Sequence, residues 1–277
     1  MSATFDCSDP TERSEGIARA QRALAAKQCV VIPTDTVYGI AADAFAPQAV
    51  ATLLASKGRG RSMPPPVLIP RQQTMDGLAA DISVEARRLA EAFWPGGLTL
   101  IFHAQPSLTW DLGDTYGTVA LRMPDDRIAL DLLILTGPLA VSSANRTGQP
   151  AAITAADAYK QLGDSVEVYL EDGERSADAG SSTIVDATGP VPVVVRQGTI
   201  TLEELREVVP EITLAGSEAE DNDDDKQEGA EGTYADAKFQ DDAAPAPSDA
   251  SDEPGVNNEA ADQEPTADAL RPPRGPN

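Results

Sequence analysis

The apolar runs of this chain are short, and that limits what it can fold into. "CVVI" (29–32), "VLI" (67–69), "LTLIF" (98–102), "TVALR" (118–122), "LAVSS" (139–143), "EVYLED" (167–172), "STIVD" (182–186) and "VPVVVR" (191–196) each have the length of a buried strand. Stretches of helical period lie between them. "EGIARAQRALAAKQ" follows a capping Ser14, "PQAVATLLASK" begins on Pro47, "SVEARRLAEAFW" on Ser83 and "TAADAYKQL" on Thr154, and "LEELREVV" closes the series. Strands and helices alternate early, while the last third is strand-rich. The pattern predicts an α/β fold built on a twisted, open mixed sheet flanked by helices, not a pure doubly wound sheet.

Composition sets the domain limits. Residues 215–277 hold 18 acidic and four basic residues, a net −14 out of the chain's −24, with Tyr234, Phe239, Val256 and Leu270 as their large apolar side chains. Such a segment cannot bury enough apolar surface to offset its ordering entropy, so a disordered acidic tail is expected there. Residues 1–13 read as a flexible lead and 14–210 as one catalytic-sized domain. Cys7 and Cys29 form no disulfide framework. No run has the length of a membrane span and no basic–apolar leader opens the chain, so a cytoplasmic protein with no membrane partner is expected.

Polar clusters mark the strand ends, where open sheets place ligands. "PTDTVYG" (33–39) sets Thr34, Asp35 and Thr36 directly after a strand. "SKGRGR" (56–61) gives Lys57, Arg59 and Arg61 with glycines between them, either a phosphate-gripping loop or a solvated basic one. Arg122 ends an apolar run and needs an anionic partner, which a structural carboxylate or a ligand would equally supply. Ser143 and Asn145 in "SSANRTG" either meet a ligand or cap a turn. Thr118 opens the Arg122 strand, Ser182 opens another, and Arg196 ends one just before Gly198. There is no GxxxxGK[ST] or GxGxxG, and no His/Cys set for zinc; the single histidine, His103, reads as structural. The residues alone imply a cationic, hydroxyl-rich cleft for a phosphorylated ligand, working by positioning and charge neutralisation.

Six stretches in order, "PTDTVYGIAADAF", "SKGRGRSMPPPVLI", "FWPGGLTLIF", "VALRMPDD", "SSANRTGQP" and "STIVD…VVVRQG", resemble the YrdC-type family of L-threonylcarbamoyladenylate synthases. The resemblance covers about residues 15–205. It implies condensation of L-threonine, bicarbonate and ATP, with Mg²⁺, into threonylcarbamoyl-AMP and pyrophosphate. A separate tRNA threonylcarbamoyl transferase would use the product, so tRNA is a partner only indirectly. By motif, Thr34, Arg122, Ser143 and Ser182 would bind threonine. Lys57, Arg59, Arg61, Thr118, Asn145 and Arg196 would bind ATP. The loop after Lys57-Gly58-Arg59 departs from the family pattern, with "GRSMPPP" and an added Arg61, and the acidic tail stands where long forms carry a second domain. The alternatives are an RNA-binding module acting without adenylate synthesis, disfavoured by the net −10 outside the tail, and the carbamoyl chemistry of hydrogenase-maturation proteins, whose zinc-finger cysteines are missing here.

Overall fold

A computed structural model describes residues 2–176 and 180–216. Of the tail expected over 215–277, all but residues 215 and 216 lie outside the described residues. The first half runs β1 (Ala3–Asp6), α1 (Pro10–Ala25), β2 (Val30–Ile32), β3 (Gly39–Asp43), α2 (Pro47–Lys57), β4 (Val67–Leu68), α3 (Met75–Leu78) and β5 (Ala79–Ala80). Next come α4 (Val84–Phe93), β6 (Leu98–Ala104), β7 (Thr118–Arg122), α5 (Arg127–Thr136) and β8 (Leu139–Ser143). The chain continues with α6 (Ala155–Leu162), β9 (Val168–Glu171), β10 (Thr183–Asp186), β11 (Val193–Arg196), α7 (Leu202–Val208) and β12 (Thr213–Leu214).

The strands form one mixed sheet in the order β1-β9-β2-β3-β8-β4-β7-β6-β10-β11-β12, with β5 beside β6. The β1–β9, β9–β2, β4–β7, β6–β10 and β11–β12 pairs are parallel and the others antiparallel. The helix starts follow local chemistry. Ser83, Thr154 and Thr201 accept backbone N–H groups as N-caps, and Thr201 forms a capping box with Glu204. Gly39 lets β3 lie close to β8, because a Cβ there would stand 2.6 Å from the Val141 side chain.

Two apolar clusters divide the sheet faces. On one face α2, α4, α6 and α7 pack over Val31, Ile40, Val67, Leu100 and Leu121. On the other, α1 and α5 cover Val30, Ile32, Leu68, Leu139 and Val141. Beyond α5 that second face carries only a small cluster of Ile101, Ala120 and Ile184. Among the described residues no helix covers this face from β7 through β11, and this is what makes room for a site.

The N-terminus differs from the expected flexible lead ending at a Ser14 cap. Residues 3–6 are an edge strand, Cys7 is buried, and α1 starts at Pro10 with Asp9 accepting the Thr11 and Glu12 N–H groups at 2.8 and 2.9 Å. "DPTE" is itself an Asp N-cap with Pro at the first helical position, a stronger signal than Ser14.

Candidate functional site

A cavity of about 750 Å³ lies on the open sheet face. Strand register builds its floor. Leu68 of β4 is paired with Arg122 of β7, Thr99 of β6 with Ile184 of β10, and Ile184 with Arg196 of β11, so these side chains emerge on one face. Among the described residues, four cations, Arg59, Arg122, Lys160 and Arg196, line it with one carboxylate, Asp157, which is held by Lys160 at 2.8 Å. A domain of net negative charge thus presents a locally positive pocket.

The first wall is the β2–β3 turn. Thr34 Oγ1 donates to the Val37 carbonyl at 2.6 Å and accepts the Thr36 N–H at 3.2 Å, which closes a hydroxyl turn and sets the two threonine hydroxyls 3.1 Å apart. Arg122 reaches this turn from the end of β7. Its Nε donates to the Gly96 carbonyl at 3.0 Å, Nη1 to Thr36 Oγ1 at 3.1 Å and Nη2 to Asp35 Oδ1 at 2.7 Å. Arg122 as a whole is 7% exposed. Burial pulls its pKa down and the Asp35 charge and hydrogen bond oppose this, so it remains a cation at neutral pH. Three of its five N–H groups are committed, which leaves one on each terminal nitrogen, and Arg122 is among the residues that line the cavity. Beneath the turn, Tyr38 is fully buried, with its hydroxyl against the Gly173 carbonyl at 2.7 Å and accepting the Asp172 N–H at 2.9 Å. Burial raises its pKa, so it serves as a neutral anchor.

The second wall is the end of β8. Ser142 Oγ accepts from Arg59 Nη1 at 3.1 Å, and Arg59 Nε donates to Thr147 Oγ1 at 3.2 Å. These partners hold the guanidinium at the rim. Ser143 also faces the cavity. The third wall is Ser182, whose Oγ lies 2.9 Å from Thr99 Oγ1 and 3.2 Å from Arg196 Nη2; Arg196 also donates to the Ser182 carbonyl at 2.8 Å. Gly198 permits this contact, since a Cβ there would sit 2.1 Å from the Ser181 carbonyl oxygen.

Of the residues singled out in the sequence, Thr34, Arg59, Arg122, Ser143, Ser182 and Arg196 converge on this cavity. Lys57, Arg61, Thr118 and Asn145 are not among the residues that line it. Lys57 is 1% exposed, one layer behind the wall, where Nζ donates to the Ser143 and Asn145 carbonyls and to Asn145 Oδ1. Asn145 is fully buried and spends its amide on the Arg146 and Gln149 carbonyls, bracing the loop after β8. Arg61 points away, in a two-pronged pair with Asp111 at 2.8 and 2.9 Å. Thr118 sits at the far end of β7, donating to the Thr115 carbonyl at 2.8 Å, about 13 Å from Arg122 at the usual strand rise. His103 is exposed at that same far end, paired with Thr118. Thr36, noted in the sequence beside Thr34 without a ligand role, also lines the cavity; Thr99, Ser142 and the α6 residues Asp157, Lys160 and Gln161 line it too and escaped the sequence reading. Alternation along "GLTLIF" could have found Thr99, a hydroxyl on an otherwise apolar strand.

The fold and this pocket define an open-sheet α/β protein with a cationic, hydroxyl-lined pocket at its strand ends. The chain belongs to the Sua5/YciO/YrdC family: the family model, described as "Telomere recombination", matches residues 22–198. A Mycobacterium tuberculosis protein provisionally named a threonylcarbamoyl-AMP synthase is 53% identical over 209 residues, 76% of this chain and 96% of that protein. The threonylcarbamoyl-AMP synthase of Pyrococcus abyssi is 36% identical over 186 residues, 67% of this chain and 54% of that longer protein. The crystal structure of P. abyssi Sua5 complexed with L-threonine superposes with a TM-score of 0.69 at 30% identity, over 77% of this chain and 62% of that one.

Proposed function

We propose that this chain is an L-threonylcarbamoyladenylate synthase. The observation that carries the reading is Arg122, a buried guanidinium with one uncommitted N–H on each terminal nitrogen, set beside two threonine hydroxyls in a cationic cavity. Paired N–H groups match the two oxygens of a carboxylate, and adjacent hydroxyls suit a hydroxy-amino acid. The cavity is of the size that takes a nucleotide-class ligand. The P. abyssi relative with bound L-threonine and the relatives named threonylcarbamoyl-AMP synthase supply the chemistry.

In this reading the threonine α-carboxylate docks on Arg122, with Thr34 and Ser143 beside it and Ser182 completing its pocket. Arg59 and Arg196 take the nucleotide side. Bicarbonate and the threonine amine condense to a carbamate with loss of water. A carbamate oxygen attacks the α-phosphorus of ATP, the bond to the bridging oxygen breaks, and pyrophosphate leaves. Guanidinium groups neutralise the charge that develops on the phosphates. Among the described residues no three His, Cys, Asp or Glu side chains group to hold a metal. Mg²⁺ would be held chiefly by the ATP phosphates and would supply neutralisation of their charge, in keeping with an ion that binds few protein carboxylates. The product is a mixed anhydride, and a tRNA threonylcarbamoyl transferase consumes it. Among the described residues no helix is long and apolar enough to cross a membrane. A cytoplasmic location fits the two buried free thiols. Direct RNA docking is not favoured, because the chain outside the acidic tail carries a net charge of −10.

The test is to incubate the purified chain with ATP, Mg²⁺, bicarbonate and threonine and to look for threonylcarbamoyl-AMP by mass spectrometry. Formation of the adenylate supports the reading; ATP turnover to other products ends it.

A further inference from the structure

The three contacts that hold the Arg122 guanidinium come from two segments, the loop before β6 and the β2–β3 turn, and differ in kind. The Gly96 carbonyl and the Thr36 hydroxyl are neutral, and the Asp35 carboxylate is charged. The Asp35 and Arg122 side chains are 17% and 8% exposed, so this ion pair is largely shielded from water. Asp35 Oδ1 also accepts the Asp125 N–H at 3.0 Å, which ties the β2–β3 turn to the chain leaving β7. One oxygen thus fixes both the guanidinium and the backbone just beyond it.

We propose that Asp35 is the positioning residue of the amino-acid subsite: it orients the Arg122 fork and cancels its charge, so that a carboxylate is held by directed hydrogen bonds without a net attractive charge. This rests on the synthase reading above. The proposal follows from what substrate and product share. Threonine and threonylcarbamoyl-AMP both carry the α-carboxylate, so an uncompensated buried cation would grip the product as firmly as the substrate and slow its release. A compensated and oriented guanidinium discriminates by geometry, because only a planar two-oxygen group meets both remaining N–H groups.

Two variants separate orientation from charge. Asp35→Asn keeps an acceptor oxygen for Arg122 and the Asp125 N–H but removes the negative charge. Threonine KM should fall about threefold to tenfold and kcat should fall with it, because product leaves slowly. Asp35→Ala removes the acceptor as well, frees the guanidinium to rotate, and should raise threonine KM at least about tenfold. ATP KM should stay within about twofold in both. The assay is pyrophosphate release at saturating ATP and bicarbonate, with melting curves to confirm folding. A threonine KM that moves in the same direction in both variants, or in neither, overturns the proposal. If Asp35→Ala does not fold, Asp35→Asn decides alone, and an unchanged or raised threonine KM counts against it. Wild-type protein without threonine-dependent pyrophosphate release would instead remove the synthase reading.

Discussion

Replacing Lys57 by methionine separates two views of the site. A phosphate-holding lysine would stand in the cavity, whereas the structure buries this one with its ammonium on the loop that follows β8. Hydrogen bonds from a charged donor contribute about 1.5–3 kcal/mol each, and a buried acceptor left unmet costs about 1–3 kcal/mol. The Ser143 carbonyl keeps the Asn145 N–H at 2.9 Å, so most of the loss falls on the Asn145 carbonyl and its side-chain oxygen. Relief from burying an ammonium offsets part of this. The net is a destabilisation of about 3 kcal/mol, or roughly 6–12 °C in melting temperature for a domain of this size. Because Ser142 and Ser143 rest on the same loop, the KM values for threonine and ATP should both rise, by comparable factors. Thermal melting followed by two substrate titrations reads this out. A melting temperature unchanged within about 2 °C together with a selective tenfold rise in ATP KM would show that Lys57 reaches the phosphates, and the positional argument would fail.

Arg122→Lys keeps the charge but loses the fork, and should raise threonine KM about a hundredfold while ATP KM changes less than about threefold; equal losses for both substrates would show that the subsite is misplaced. Arg61→Ala should leave both KM values within about threefold, since its partners Asp111 and Asp114 are surface carboxylates; a selective loss of ATP affinity would bring it back into the site. Burial pushes both Cys7 and Cys29 up to about 12. Their folded pKa lies above the unfolded value, so their contribution to stability is intact below pH ~9 and is lost as pH rises toward 12. A thiol reagent at pH 8 should therefore find no reactive cysteine in the native protein and two after denaturation; rapid native labelling would contradict the burial.

The short apolar runs and their capped helices made the sheet-and-helix class readable, and α2 runs Pro47–Lys57 as its sequence proposed. What escaped was set by tertiary context. β3, "GIAAD", has small residues of weak β-propensity, and it is a strand because β2 and β8 flank it on both sides. α5, "RIALDLLILT", is apolar on most sides and gives no clean period, although Asp126 caps it. The site divided along similar lines. Arg122 was flagged because a cation at the end of an apolar strand demands an anion, and it has one in Asp35 while keeping N–H groups for another. Lys57 and Asn145 sit in the same motifs as cavity residues, yet the αL turn at Gly58 and the bend after β8 send them behind the wall. Strand register decided Thr118 and Thr99. One lies at the wrong end of β7, and the other faces the pocket from the middle of the sheet.

The most direct test of the central claim is pyrophosphate release by the purified chain with ATP and Mg²⁺, leaving out threonine and bicarbonate in turn. The account predicts release only when both are present, with one threonylcarbamoyl-AMP formed per pyrophosphate. Release that proceeds at the same rate without threonine would contradict it.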